Sequence, residues 1–255
     1  MDCYGALAAN YDALTGDVGY EKRADYLEKL FGRSRIPVHT VLDLACGTGT
    51  MTCILAERGY EMIGVDASEE MLAAAREKSY EVEGIAPIFL HQSMPKLDLY
   101  GTVDAAICCL DSLNYLTNPK DVRRTFDRLR LFIAPGGVLI FDINTVEKLR
   151  ALDGQVFLDE TEDSYCVWRP EFSRGICTYY MDLFQLTEDG SWERTLEIHK
   201  ERAYTVEELT EWLREAGFTD IRTYGDMKMR RPAENEQRIY FSCVRAGGFL
   251  CIQVF

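Results

Sequence analysis

Thr40-Val41-Leu42-Asp43-Leu44-Ala45-Cys46-Gly47-Thr48-Gly49-Thr50 is the stretch whose reading decides the fold. Val41, Leu42 and Leu44 form a short apolar run suited to a strand buried on both faces. Asp43 interrupts that run near its end. Gly47 and Gly49 then supply a turn where backbone can approach a ligand with no Cβ in the way. Met51, Ile54 and Leu55 are spaced as one face of a helix beginning at the turn. A strand, a glycine turn and a helix N-terminus together leave N–H donors exposed to a ligand.

Two ligand classes suit such a turn. A dinucleotide fingerprint uses a third glycine for close helix–strand packing, and Thr52 stands at that place. A nicotinamide-dependent oxidoreductase is therefore one rival reading, and a non-catalytic binding module is another, because fold does not fix function. Asp43 and the Ala45-Cys46-Gly47-Thr48-Gly49 run resemble motif I of the class I S-adenosylmethionine-dependent methyltransferases. In that family the turn passes under the amino-acid end of the cofactor. The resemblance implies an α/β fold, a doubly wound seven-stranded Rossmann-like sheet, with S-adenosylmethionine as cofactor.

Composition narrows the partners. The chain has 255 residues and 47% apolar content, enough for one α/β domain with an insertion. Its formal charge is −14, from 28 basic and 42 acidic residues. Such an excess repels phosphate backbones and counts against a nucleic-acid substrate. The nine cysteines include no C-x-x-C pair and no signal-peptide pattern precedes them. Free thiols in a reducing cytoplasm are the expectation. No apolar run approaches the ~18 residues of a membrane span.

Residues 2–31 are amphipathic, with stripes at Tyr4, Leu7, Tyr11 and Leu14 and at Tyr26, Leu27, Leu30 and Phe31, separated by Gly16 and Gly19. Tyr11-Asp12-Ala13-Leu14, Tyr20 and Tyr26 resemble the N-terminal cap of small-molecule methyltransferases, whose aromatics close over cofactor and substrate. Many relatives carry Trp where this chain has Arg23. On that resemblance Tyr20 is a cofactor contact and Tyr11 a catalytic candidate.

Glu61–Asp66 is a second buried strand ending in an acid. Asp66 falls about twenty positions past the turn, where a carboxylate accepts from ribose hydroxyls. Ser68 caps the next helix, and Ser68 with Met71 is expected at the adenine side, Ala67 being a further implied cofactor contact. A third strand, Pro87–His91, leads into Gln92-Ser93-Met94. Family members often have Asp where Ser93 stands, so Ser93, Gln92 or the backbone takes the adenine amino group. Asp43, Ala45, Cys46, Gly47, Gly49, Met94 and Leu110 complete the implied cofactor contacts.

The fourth strand, Val103–Leu110, opens into Asp111-Ser112-Leu113-Asn114 at the sheet's carboxyl edge, where ligands bind in open α/β folds. The Asn/Asp-Pro-Pro-aromatic motif of amino-methylating nucleic-acid enzymes is missing there. Asp111 is a candidate to orient or deprotonate a nucleophile, or a helix cap. A helix over Val122–Ile133 is stopped by Ala134-Pro135-Gly136-Gly137, and Val138–Phe141 is the fifth strand. Asp111, Asp142 and Asn144 invite comparison with the magnesium site of catechol-type methyltransferases, but their spacing differs, and no metal is expected.

Residues 151–204 depart from the basic fold. Tyr165–Trp168, Ile176–Leu186 and Trp192–Ala203 are aromatic and β-branched, with a hairpin turn at Thr187–Ser191. They predict an antiparallel β lid over the crevice, offering Tyr165, Trp168, Tyr179 and Tyr180 inward. Similar insertions occur in a branch that methylates small amines, including amino-sugar N-methyltransferases. His199 is a second catalytic candidate, and Arg202 a substrate contact. The divisions are thus 1–150, N-terminal cap and cofactor core; 151–204, lid; and 205–255, remaining core and tail. Thr205 and Glu208 form a capping box before a helix over Val206–Ala216, and Phe218–Tyr224 and Arg238–Val244 are the last strands. The apolar Gly247–Phe255 end packs on the body or on a partner such as a second copy. The expected reaction is methyl transfer to a small molecule, an amine first.

Overall fold

The computed structural model describes residues 18–187 and 189–247. Tyr11 and its stripe, and the tail from Gly248, lie outside the described residues.

The chain alternates helix and strand through α1 (Tyr20–Phe31), β1 (Thr40–Leu44), α2 (Thr50–Glu57), β2 (Glu61–Asp66), α3 (Glu69–Ser79), β3 (Ile88–His91), β4 (Val103–Cys108), α4 (Pro119–Phe132) and β5 (Ile133–Asn144). The short helix α5 (Val146–Ala151) then leads to β6 (Phe157–Glu160), β7 (Ser164–Ser173), β8 (Ile176–Leu186) and β9 (Trp192–Arg202). Finally come α6 (Val206–Glu215), β10 (Phe218–Gly225) and β11 (Arg238–Arg245). Seven strands form one sheet in the order β10-β11-β5-β4-β1-β2-β3, and β6 to β9 form a separate four-stranded sheet. β1 to β5 pair in parallel, whereas β11 runs antiparallel between β5 and β10.

Apolar residues coat both faces of the large sheet. Leu42, Leu44, Ala106 and Phe141 pack with α4 and α6 through Phe126, Leu129, Leu209 and Leu213. Val41, Ala105, Ile107 and Ile140 pack with α1 and α2 through Leu27, Leu30, Met51 and Leu55. Burial on two faces explains why these strands are continuous apolar runs. Helix ends follow local chemistry. Ser68 accepts from the Met71 N–H at 3.1 Å, and Thr205 and Glu208 close the capping box.

Three local expectations change. β5 starts at Ile133 rather than Val138, because Ala134-Pro135-Gly136 loops out within the strand. Its register jumps from Val103↔Ile133 to Ala105↔Val138, and Gly136 has φ 91°. The short edge strand β6 was not expected, since its Leu158-Asp159-Glu160 is exposed and shows no apolar alternation. Arg23, at the place of a family Trp, is buried and donates to Val18 O at 3.2 Å and to the Tyr240 hydroxyl, tying α1 to β11.

Candidate functional site

The glycine turn leaves β1 sharply. Ala45 and Cys46 N–H both donate to Val65 O, at 2.7 and 3.0 Å, and Ala45 holds a left-handed φ of 62°. Gly47 and Gly49 follow at φ 54° and 73°. A Cβ at Gly49 would lie 2.8 Å from Ala75 Cβ, so glycine is needed there for helix packing as well as for the turn. The space beside Gly47 is open, and Gly47 lines a small cavity with Tyr20, Asp43, Ala45, Cys46, Met51 and Leu110.

Asp43 is buried, and the Thr52 hydroxyl donates to its Oδ2 at 2.6 Å. Burial pushes its carboxyl up to about 7, against that hydrogen bond. Thr52 thus supports Asp43 where a dinucleotide fold would place its third glycine. Asp66 ends β2 and bridges the turn, its Oδ2 accepting from Gly47 N–H at 2.8 Å and its Oδ1 from Ser68 N–H at 2.9 Å. Burial raises its pKa, opposed by those N–H groups. Each carboxylate oxygen has a second lone pair, so both can still accept from a diol. An open glycine cradle beside a carboxylate of this kind fits S-adenosylmethionine.

Of the residues expected at the adenine, Met71 is buried and Met94 half-buried, while Ala67 is exposed and its carbonyl lies 2.9 Å from His91 Nε2. The Gln92 side-chain amide clamps the Asp98 backbone, donating at 2.9 Å and accepting at 2.8 Å. Ser93 makes no side-chain cap to the following turn, leaving Ser93 and the backbone as the groups available to an adenine amine.

Leu110 and Ser112 also border a second cavity, of about 340 Å³, between the carboxyl ends of β4 and β5 and the four-stranded sheet. Leu110 and Asp111 hold φ values of 55° and 52° that side chains rarely adopt. The cause is Asp142, fully buried at the end of β5, which accepts both their N–H groups at 2.8 and 3.0 Å. Arg238 from β11 then bridges Asp142 and Asp111, reaching Asp111 at 2.6 Å. In the Asp111–Asp142–Asn144 trio a guanidinium therefore stands between the two carboxylates. Among the described residues no group of His, Cys, Asp or Glu has metal-site geometry. Asp111 is not a helix cap, since the turn at Ser112 has no side-chain cap bond.

Asn144 is the hub of a polar network. Its N–H donates to Asn114 Oδ1 at 3.1 Å, and its amide donates to Glu201 at 2.9 Å and accepts from Lys148 at 2.8 Å. Asn114 also donates to Arg202 O at 2.9 Å, fastening β9 to the large sheet. Glu201 is only 4% exposed, and burial pushes its carboxyl up to about 8, with Asp111 adding to the rise and Asn144 and Tyr179 opposing it. Burial pulls the Lys148 amine down. His199, on the same face of β9, is buried with Nε2 2.8 Å from Glu197 and its ring edge-on to Tyr115 at 6.0 Å.

The aromatic lining differs in part from expectation. Trp168 and Tyr179 face the cavity with their rings 5.9 Å apart, and the Trp168 indole donates to Asp159 at 2.8 Å. Tyr165 and Tyr180 do not line it, because side chains alternate along a strand and each is one residue out of phase. Tyr165 packs on Trp192 at 5.2 Å on the outer face. Arg202, adjacent to Glu201, likewise points elsewhere, over the Tyr204 ring at 5.4 Å. Glu201, Lys148, Asn114 and Arg238 were not singled out from sequence. One signal existed for Glu201: it stands two residues from His199 and so shares its face.

The profile of the family described as "Methyltransferase domain" matches residues 41–137. YqeM, a methyltransferase-family protein of Bacillus subtilis, is 32% identical over 247 residues, covering 95% of this chain and 97% of that protein. A glycine/sarcosine N-methyltransferase of Halorhodospira halochloris is 29% identical over 202 residues, 74% of this chain and 68% of the relative. The crystal structure of an S-adenosylmethionine-dependent methyltransferase from Clostridium acetobutylicum superposes with a TM-score of 0.85 at 28% identity, covering 96% of this chain and 100% of that one. These matches remove the nicotinamide and non-catalytic readings. With the glycine cradle and Asp66, they show that the chain belongs to the class I S-adenosylmethionine-dependent methyltransferases.

Proposed function

We propose that the chain transfers the methyl group of S-adenosylmethionine to the nitrogen of a small-molecule amine. The cavity meeting the cofactor end at Leu110 and Ser112 carries this reading. Its volume of about 340 Å³ falls in the range of pockets that enclose whole small molecules. Trp168, Tyr179 and Met181 offer an apolar body, and Asp111 and Glu201 offer carboxyls suited to an amine. The N-methyltransferase from Halorhodospira supports nitrogen as the methylated atom.

When bound, the cofactor supplies an electrophilic sulfonium methyl. The chain supplies position, a dry cavity and control of the acceptor's proton. The cap and core of residues 1–150, with the core of 205–255, hold the cofactor, and the lid of 151–204 shuts water from the cavity. Tyr11 is a further candidate to act on the acceptor. Asp111, oriented by Arg238, and His199, oriented by Glu197, steer the amine N–H. The seven described free cysteines suit a reducing, cytoplasmic setting. No described helix is long and apolar enough to cross a membrane.

Release of S-adenosylhomocysteine tests the reading against a library of amines and their isosteric alcohols. Turnover with amines and not with the alcohols is expected. Turnover confined to alcohols, phenols or carboxylates overturns it. Asp111→Asn and His199→Ala are expected to lower turnover while leaving cofactor binding intact.

A further inference from the structure

The cluster at the floor of the acceptor cavity leaves Glu201 with no directly bonded cation. Its described ionisable groups include the carboxyls Asp111, Asp142 and Glu201 and the cations Arg238 and Lys148, with Arg23 of α1 acting on Asp142. Arg238 bridges Asp111 and Asp142 directly. Lys148 instead donates to Asn144 Oδ1 at 2.8 Å, and that side-chain amide stands between it and Glu201, whose carboxyl the lysine charge still draws down. The nearby His199 is paired with Glu197. Glu201 therefore sits 4% exposed with neutral donors, Asn144 and the Tyr179 hydroxyl, as its hydrogen-bond partners. Trp168, Tyr179 and Met181 line the same cavity, and aromatic faces attract a cation through their quadrupoles.

Taking the methyltransferase reading above as its basis, we propose that Glu201 is the group that receives the acceptor, binding the ammonium of a primary or secondary amine carried on an apolar or aromatic body and taking its proton. The ammonium N–H passes its proton to the Glu201 carboxylate, leaving a neutral amine with a free lone pair. That lone pair forms the new N–C bond as the C–S bond breaks, and the electron pair of the broken bond stays on sulfur. Glu201 gives up its own proton to solvent as the ammonium binds and keeps the one it takes from nitrogen, so the methylated product leaves as its ammonium and one proton is released per turnover. Burial raises the proton affinity of Glu201 to about 8, into the range suited to a base working near neutral pH. The groups facing it are Asp111 after β4, Asn144 on β5, Lys148 on α5, Tyr179 and Cys177 on β8, and His199 on β9.

Calorimetric titration of benzylamine and of benzyl alcohol into protein saturated with S-adenosylhomocysteine tests this. At pH near 7 Glu201 starts protonated and benzylamine arrives as a cation, so the pair keeps one proton and releases about one to the buffer. Buffers of different ionisation heat read that number. Glu201→Gln is expected to abolish the release and weaken benzylamine by at least about tenfold, with benzyl alcohol unchanged. Wild-type protein that binds benzylamine without releasing a proton, or fails to bind it at millimolar concentration, overturns the proposal. So does equal benzylamine affinity in the variant. The wild-type proton count stands whether or not the variant folds. Binding of S-adenosylhomocysteine, measured first, separates failure of this assignment from failure of the methyltransferase reading.

Discussion

At the cofactor end, Ala45, Gly47 and Gly49 set the shape through backbone conformation, and a single strand-end carboxylate, Asp66, clamps two N–H groups. At the acceptor end, side chains from β4, β5, α5, β8, β9 and β11 meet in one polar cluster, and its backbone distortion at Leu110 and Asp111 is held by Asp142. The first end is built within about 30 residues of chain, so local rules of turns and helix starts govern it. The second joins residues as far as 127 positions apart, as Arg238 and Asp111 show. The first end therefore rests on backbone that tolerates little change, and the second on side chains that can vary.

Arg238→Met should sharpen this contrast most. It leaves the fully buried Asp142 without its cation, and breaking such a pair costs about 3–5 kcal/mol of stability by urea unfolding. A loss under about 1 kcal/mol would show that the acceptor end does not depend on this ion cluster. Gly49→Ala attacks the other end, adding a strained positive φ and a 2.8 Å contact with Ala75. A cost of about 2–3 kcal/mol is expected, with weaker S-adenosylhomocysteine binding.

Asp66→Asn should leave the fold in place and weaken S-adenosylhomocysteine by about tenfold to a hundredfold, the worth of a charge-assisted hydrogen bond of about 1.5–3 kcal/mol. Unchanged affinity would mean that the ribose lies elsewhere. The smallest effect is on thermal stability against pH. The Glu201 carboxyl rises from 4.5 in its ordinary state to about 8 when folded. A raised acid favours the folded state fully below 4.5, and that contribution is lost as pH climbs through about 8. Glu201→Gln should therefore flatten the fall of Tm between about pH 4.5 and 8 by a few degrees. An unaltered profile would place the titration on another group, Asp43 being the next, with its carboxyl at about 7.

The contrast also explains what could be read in advance. Asp43, the glycine turn and Asp66 were legible because one short segment carries strand, turn and helix start together. The capping box at Thr205 and Glu208 was legible for the same reason. The antiparallel sheet of β6 to β9 followed from β-branched and aromatic content, but its cavity-facing side did not, and Tyr165 and Tyr180 were assigned to the wrong side. A strand's phase is fixed only when one residue's direction is known. Gln92 shows a different limit: an amide beside a ligand loop can as well hold the loop itself, as its bonds to Asp98 do. Glu201 and Lys148 gained meaning only when Asn144, on a third element, was seen to join them.

Position of the transferred methyl group decides the account most directly. Protein supplied with S-adenosylmethionine carrying a carbon-13 methyl, and with acceptors offering both amine and hydroxyl groups, gives products whose labelled carbon is located by NMR. The account predicts that label on nitrogen. Label on oxygen or carbon, with the amine left untouched, would contradict it.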